Sequence, residues 1–224
     1  MDSRFGYRII RTTPELDAFG PAWSALWRED PRATPFQSPE WLLPWWRQFQ
    51  QPELRAVVMM DEGRPAGFLP FYIYREPGTG ERQLLLLGAG TTDYLDGVFS
   101  AACGIEGVRM ALDLLVAEGG WSSLHTSQMR PDSVLLRTLA CAHDLAVERF
   151  ESESCLRMPA RRISELPAKI RRNATYYRTR AIRMGKLELS TADESECKGS
   201  FETLRRLHTE RWALRGEAGV LADE

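Results

Sequence analysis

At Leu54 the hydrophobic pattern of this chain changes period, and that change restricts the folds open to it. Before it, Leu16, Phe19, Trp23 and Leu26 recur at helical spacing after Thr13-Pro14-Glu15, which places a proline near the first helical position and an acid in the first turn. A second amphipathic stretch begins at Ser38-Pro39-Glu40 and carries Trp41, Leu42, Trp45, Trp46 and Phe49. Five of the seven tryptophans therefore precede residue 47, which we read as two helices packing aromatics into a core rather than an aromatic ligand box. After Leu54 the pattern is that of a hairpin: a strand at 54–60, a turn at Asp61-Glu62-Gly63 and an aromatic-rich strand at 65–74. Pro70 has no N–H for a ladder and is expected at an edge or a bulge.

Further strands are predicted at 4–11, 83–87, 94–99, 121–126 and 145–150, with helices at 104–118 and, after Pro131-Asp132-Ser133, at 134–142. Helices alternating with strands predict an α/β (α+β) domain over 1–155, a mixed sheet flanked by helices. Residues 156–224 have another character. Ile170, Ala174, Tyr177, Ala181 and Met184 form a helical stripe with arginines on the other faces and Gly185 as its stop. A strand is predicted at 187–191, and Phe201, Leu204, Leu207 or His208, and Trp212 line a further helical face before Gly216. We read 156–224 as the opening part of a second unit. Because the sequence stops at Glu224, the later strands of that unit are expected to be missing, its apolar stripes exposed and self-association favoured.

Charge is distributed unevenly. Residues 157–186 hold ten bases against Glu165 alone, which leaves 19 bases and 30 acids elsewhere, a net −11. Such a segment faces an anionic partner or the acidic remainder of its own chain. In order of preference it is a structural helix with a solvated basic face, a contact for an anionic substrate or cofactor, or a nucleic-acid or membrane surface with Tyr176 and Tyr177 available for stacking. Small Ala174 and Ala181 in the stripe suit packing on a domain better than insertion into lipid. The first residues lack an apolar signal region and no apolar run approaches bilayer length, so a cytoplasmic protein without a membrane span is expected. Cys103, Cys141, Cys155 and Cys197 are too widely spaced for a metal site or a disulfide framework and read as reduced, mostly buried thiols. His125, His143 and His208 are scattered, and no hydrolase elbow, zinc motif or phosphate loop of the Walker type occurs.

Gly88-Ala-Gly90 is the one Gly-x-Gly, but a predicted strand rather than a helix follows it, so a tight connection is favoured over a phosphate cradle. In the same loop Asp93, Tyr94 and Asp96 could place two carboxylates at a cleft, where an acceptor amine would find its proton acceptor. The plainer alternative is that Asp93 caps a turn and Asp96 faces solvent.

Four blocks occur in order: Pro35-Phe-Gln-Ser-Pro-Glu-Trp41, Gly88-Ala-Gly-Thr-Thr-Asp-Tyr-Leu-Asp96, Leu166-Pro-Ala-Lys-Ile-Arg-Arg-Asn173 and Leu207-His-Thr-Glu-Arg-Trp-Ala-Leu-Arg-Gly-Glu-Ala-Gly-Val-Leu221. Together they resemble the CelD-type acetyltransferases of the GNAT superfamily, often associated with cellulose or exopolysaccharide biosynthesis. The resemblance implies two GNAT-like units in tandem, acetyl-CoA or another acyl-CoA as co-substrate carried by the second, no metal, and a small-molecule amine as acceptor. It also implies Asp93, Tyr94 and Asp96 of the first unit, and Arg171, Arg172, Tyr177 and Trp212 of the second, as members of a substrate cleft. With its second unit incomplete, such a chain is expected to lack the loop that would hold acyl-CoA and to be inactive alone; an interaction module docking through the basic helix on an anionic partner is the alternative.

Overall fold

The computed structural model describes residues 5–49, 53–142, 146–150, 162–185 and 188–221. It divides into two compact units, residues 1–154 and 155–224.

The first unit is a mixed α/β structure with two four-stranded sheets between pairs of helices. One sheet has the order β1-β3-β4-β7, built from β1 (Phe5–Ile10), β3 (Ala56–Asp61), β4 (Arg64–Leu69) and β7 (Val98–Phe99), all antiparallel. The other has the order β2-β5-β6-β8, from β2 (Glu53–Leu54), β5 (Phe71–Arg75), β6 (Arg82–Leu86) and β8 (Ser123–His125), with only the last pair parallel. The hairpin predicted from Leu54 onward is present, yet it serves both sheets. Leu54 pairs with Tyr72 and Val57 with Leu69 in one unbroken register, and Arg55 N–H donates to Phe71 O between them at 2.9 Å. In that register Pro70 falls opposite Ala56. Lacking an N–H it breaks the ladder there, which is why two strands form where one was predicted at 65–74. Pro70 is buried, and its carbonyl takes the N–H of Leu87 at 2.7 Å. The turn of the hairpin has positive φ at both Glu62 (48°) and Gly63 (80°), the combination whose twist matches paired strands.

Alternation along β3 separates two cores. Val57 and Met59 face a layer containing Val108, Ala111, Leu112 and Leu115 of α3 (Gly104–Glu118) and Val134, Leu135 and Leu139 of α4 (Val134–Ala140). Ala56 and Val58 face Leu16, Phe19, Trp23 and Leu26 of α1 (Thr13–Glu29) and Leu42 and Trp46 of α2 (Pro39–Gln48). Helix α1 starts at Thr13, where its Pro-Glu signal places it, with Thr12 as cap and Glu15 returning the bond in a capping box. Of the predicted strands, 94–99 is reduced to Val98–Phe99, because Asp96 and Gly97 are held by loop contacts instead of a ladder. Residue 145 lies outside the described residues, and 146–150 is exposed and irregular, with no strand at the predicted closing position. Among the described cysteines only Cys103 is buried; Cys141 and Cys197 are exposed at helix ends, against expectation, and Cys155 lies outside the described residues.

The second unit contains α5 (Ala168–Met184) and α6 (Cys197–Ala213). Neither buries a residue. Ile170, Tyr177, Met184, Phe201, Leu204 and Leu207 are all exposed, so the apolar stripes read from the sequence lie open. Residues 188–191 form no strand and are exposed, while Leu187 lies outside the described residues.

Candidate functional site

Three connections of the first unit, following α1, β6 and β8, line one small cavity of about 10 Å³. Asp30 ends α1 and is almost wholly buried. Its Oδ1 accepts the backbone N–H and the Nε–H of Arg32, both at 3.0 Å, and its Oδ2 accepts the N–H of Phe99 at 2.9 Å. Arg130 donates through Nη1 to Arg32 O at 3.0 Å and through Nη2 to Asp132 Oδ2 at 2.6 Å. Gln37 accepts the N–H and hydroxyl of Thr34 at 2.8 Å and donates its amide to Tyr94 O. Both cations of the cavity are thus matched to a carboxylate.

Asp96 stands apart. It accepts the N–H of Gly97 at 2.8 Å, and the Ser133 hydroxyl and the N–H of Leu135, in the first turn of α4, act with that bond to favour its charged form. Among the described residues no salt bridge reaches it. Burial outweighs those hydrogen bonds and, aided by the neighbouring charge of Asp30, pushes its carboxyl up to about 6. A carboxyl poised there exchanges protons near neutral pH, as a general base must.

The loop that carries Asp96 is held by tryptophans. Trp41 Nε1 donates to Thr92 Oγ1 at 3.0 Å and Trp45 Nε1 to Thr91 Oγ1 at 2.7 Å, so one face of α2 fixes the turn after β6. Trp23 and Trp27 donate to Gln37 O and Thr34 O, at 3.0 and 2.7 Å, and fix the segment after α1. Gly88 has φ 93°, and a Cβ there would lie 2.6 Å from Thr92 Oγ1. The turn is therefore the tight connection expected. No helix follows it before α3, so Gly88 and Gly90 do not fit a phosphate cradle for acyl-CoA. Tyr94 adopts φ 56°, a costly conformation for a residue with a Cβ, and packs 6.0 Å from Phe36, which meets Trp41 edge-on at 5.2 Å.

Of the residues singled out in the sequence, Tyr94 and Asp96 line the cavity; Asp93 is exposed on the same loop and does not. Asp96 is half-buried, not solvent-facing. Arg171, Arg172 and Tyr177 are exposed on α5, and Trp212 of α6 is half-buried between the His208 ring, 5.9 Å away, and the Arg215 guanidinium at 5.2 Å. Those four belong to the second unit, so neither unit alone gathers all seven. Sequence reasoning missed Asp30, Arg32, Arg130, Asp132 and Ser133. Asp30-Pro31 is a legible helix stop and Ser133 a legible helix cap, but nothing local announces that both close on Asp96.

Among the described residues no group of three or more His, Cys, Asp or Glu could hold a metal ion, and no helix is long and apolar enough to cross a membrane. His125 is exposed beside Ser123, His208 packs on Trp212, and His143 lies outside the described residues.

No protein-family model matches the chain, and no curated protein matches it. Solved structures that it partly resembles include a ribosomal-protein-alanine N-acetyltransferase from Brucella melitensis biovar Abortus 2308, 17% identical over 70% of this chain and 100% of that one, with a TM-score of 0.43. An aminoglycoside acetyltransferase from an uncultured soil metagenomic sample, in complex with trehalose, is 13% identical over 68% and 99%, with a TM-score of 0.39. An aminoglycoside N-acetyltransferase in complex with CoA is 12% identical over 69% and 99%, with a TM-score of 0.39. At these identities and TM-scores the likenesses carry no argument about family or activity.

Proposed function

We propose that the chain belongs to an acyl-CoA-dependent N-acyltransferase whose first unit receives the acceptor amine at the Asp96 cavity. The observation that carries this reading is Asp96 itself, a half-buried carboxyl without an ionic partner among the described residues, raised to about 6 in the lining of a cavity whose other charges are paired. Its place in the second of the four resembling blocks supports the same reading. The acceptor is a small amine, such as that of an amino sugar or an amino acid, whose ammonium group complements the free carboxylate.

In the reaction Asp96 first takes a proton from the bound ammonium group, the freed amine attacks the thioester carbonyl, the C–N bond forms and the C–S bond breaks, and the second proton of the nitrogen leaves with CoA as its thiol. A carboxylate does this only when ionised, so activity rises with pH through about 6. Release of free CoA thiol over a panel of amines, with acetyl-CoA as donor, tests the reading. Asp96→Asn should lower kcat/KM by about 100-fold or more and remove the limb near pH 6. Turnover unchanged by Asp96→Asn in the enzyme to which the chain belongs would overturn it.

A further inference from the structure

Helix α5 carries Lys169, Arg171, Arg172, Arg178, Arg180 and Arg183 and no acid. All six are exposed, and among the described residues none pairs with a carboxylate. At about 100° per residue, Lys169, Arg172, Arg180 and Arg183 fall along one side of the helix with Tyr176 at the middle of the row. The apolar stripe of Ile170, Ala174, Tyr177, Ala181 and Met184 falls on another side. The basic row and the apolar stripe therefore point to different sides of the helix. The row extends about 21 Å at ~1.5 Å per residue, much longer than one nucleotide. Tyr176 is 60% exposed and lies one turn from Arg172 and one from Arg180.

We infer that this row is a binding surface for single-stranded nucleic acid. Five of the six cations are arginines, whose planar fork meets phosphate oxygens two at a time where lysine offers a point charge. An exposed tyrosine set between cations gives a base a surface to stack on while the flanking phosphates meet the guanidinium groups. A membrane fits less well: the stripe that would enter lipid contains two alanines and a tyrosine. The row belongs to the second unit and the Asp96 cavity to the first, and the inference does not rest on the acyl-transfer reading.

Fluorescence anisotropy of a labelled 15-nucleotide oligothymidylate with the full chain tests the inference. Binding at 50 mM salt should weaken by at least about tenfold at 200 mM, as expected for roughly four phosphate contacts. The triple substitution R172E/R180E/R183E, on exposed side chains and checked for unchanged circular dichroism, should abolish binding. Tyr176→Ala should weaken it by about tenfold with the salt slope preserved, and Tyr176→Phe should restore it. Absence of binding at 50 mM salt, binding indifferent to the triple substitution, or displacement of the oligonucleotide by phosphatidylserine vesicles at equal anionic charge would each overturn it.

Discussion

Individual residues around Gly88 and Asp96 hold the first unit's site in shape, and their costs can be measured separately. Gly88 and Gly90 share positive φ, but only Gly88 has Thr92 and Leu42 against the position a Cβ would take. Gly90→Ala should therefore cost about 1 kcal/mol in backbone strain alone, and Gly88→Ala should cost more than 2 kcal/mol in urea denaturation. Equal costs would mean that Thr92 yields. Asp96 makes the opposite kind of prediction. Its folded-state carboxyl titrates near 6, above the ordinary 3.8, so the fold favours the protonated form. The stability this gives is fully present below about pH 4 and fades as pH rises through 6, by up to ~3 kcal/mol. In Asp96→Asn the melting temperature should flatten across that window and at pH 8 equal or exceed that of the parent. A residue kept only to cap α4 would instead leave the variant less stable at every pH. Asp96 was legible as a member of a chemically equipped loop, whereas its burial was not, because Asp30, Ser133 and Leu135 come from segments tens of residues away.

Elements with strong local signals were read well. Helix α3 runs over the predicted residues, and the helix starts at Thr13, Pro39 and Val134 each follow a hydroxyl cap that accepts a backbone N–H. Thr12→Ala removes one half of a reciprocal cap and should lower the unfolding free energy of the first unit by about 1 kcal/mol, read from the urea midpoint. Illegible were the features set by distant partners. The predicted strand at 65–74 is divided because a proline meets a paired strand. The predicted strand at 94–99 is shortened because its first half bonds to helices and loops. Sequence periodicity records which face a residue presents, and is silent on where a ladder stops.

At the scale of the whole chain, the two units differ in what they bury. The first has a core on each side of its sheets, while the described part of the second places no side chain in a buried position. In native-state hydrogen exchange the amides of β3 and β4 should therefore outlast those of α5 and α6 by several orders of magnitude; comparable protection would show α5 and α6 to be packed in solution. Within the first unit, the hairpin from Glu53 to Arg75 belongs to both sheets. A partly folded form that kept one sheet and lost the other would have to unzip that strand pair at Pro70. The two sheets are therefore expected to melt together, in one calorimetric transition rather than two.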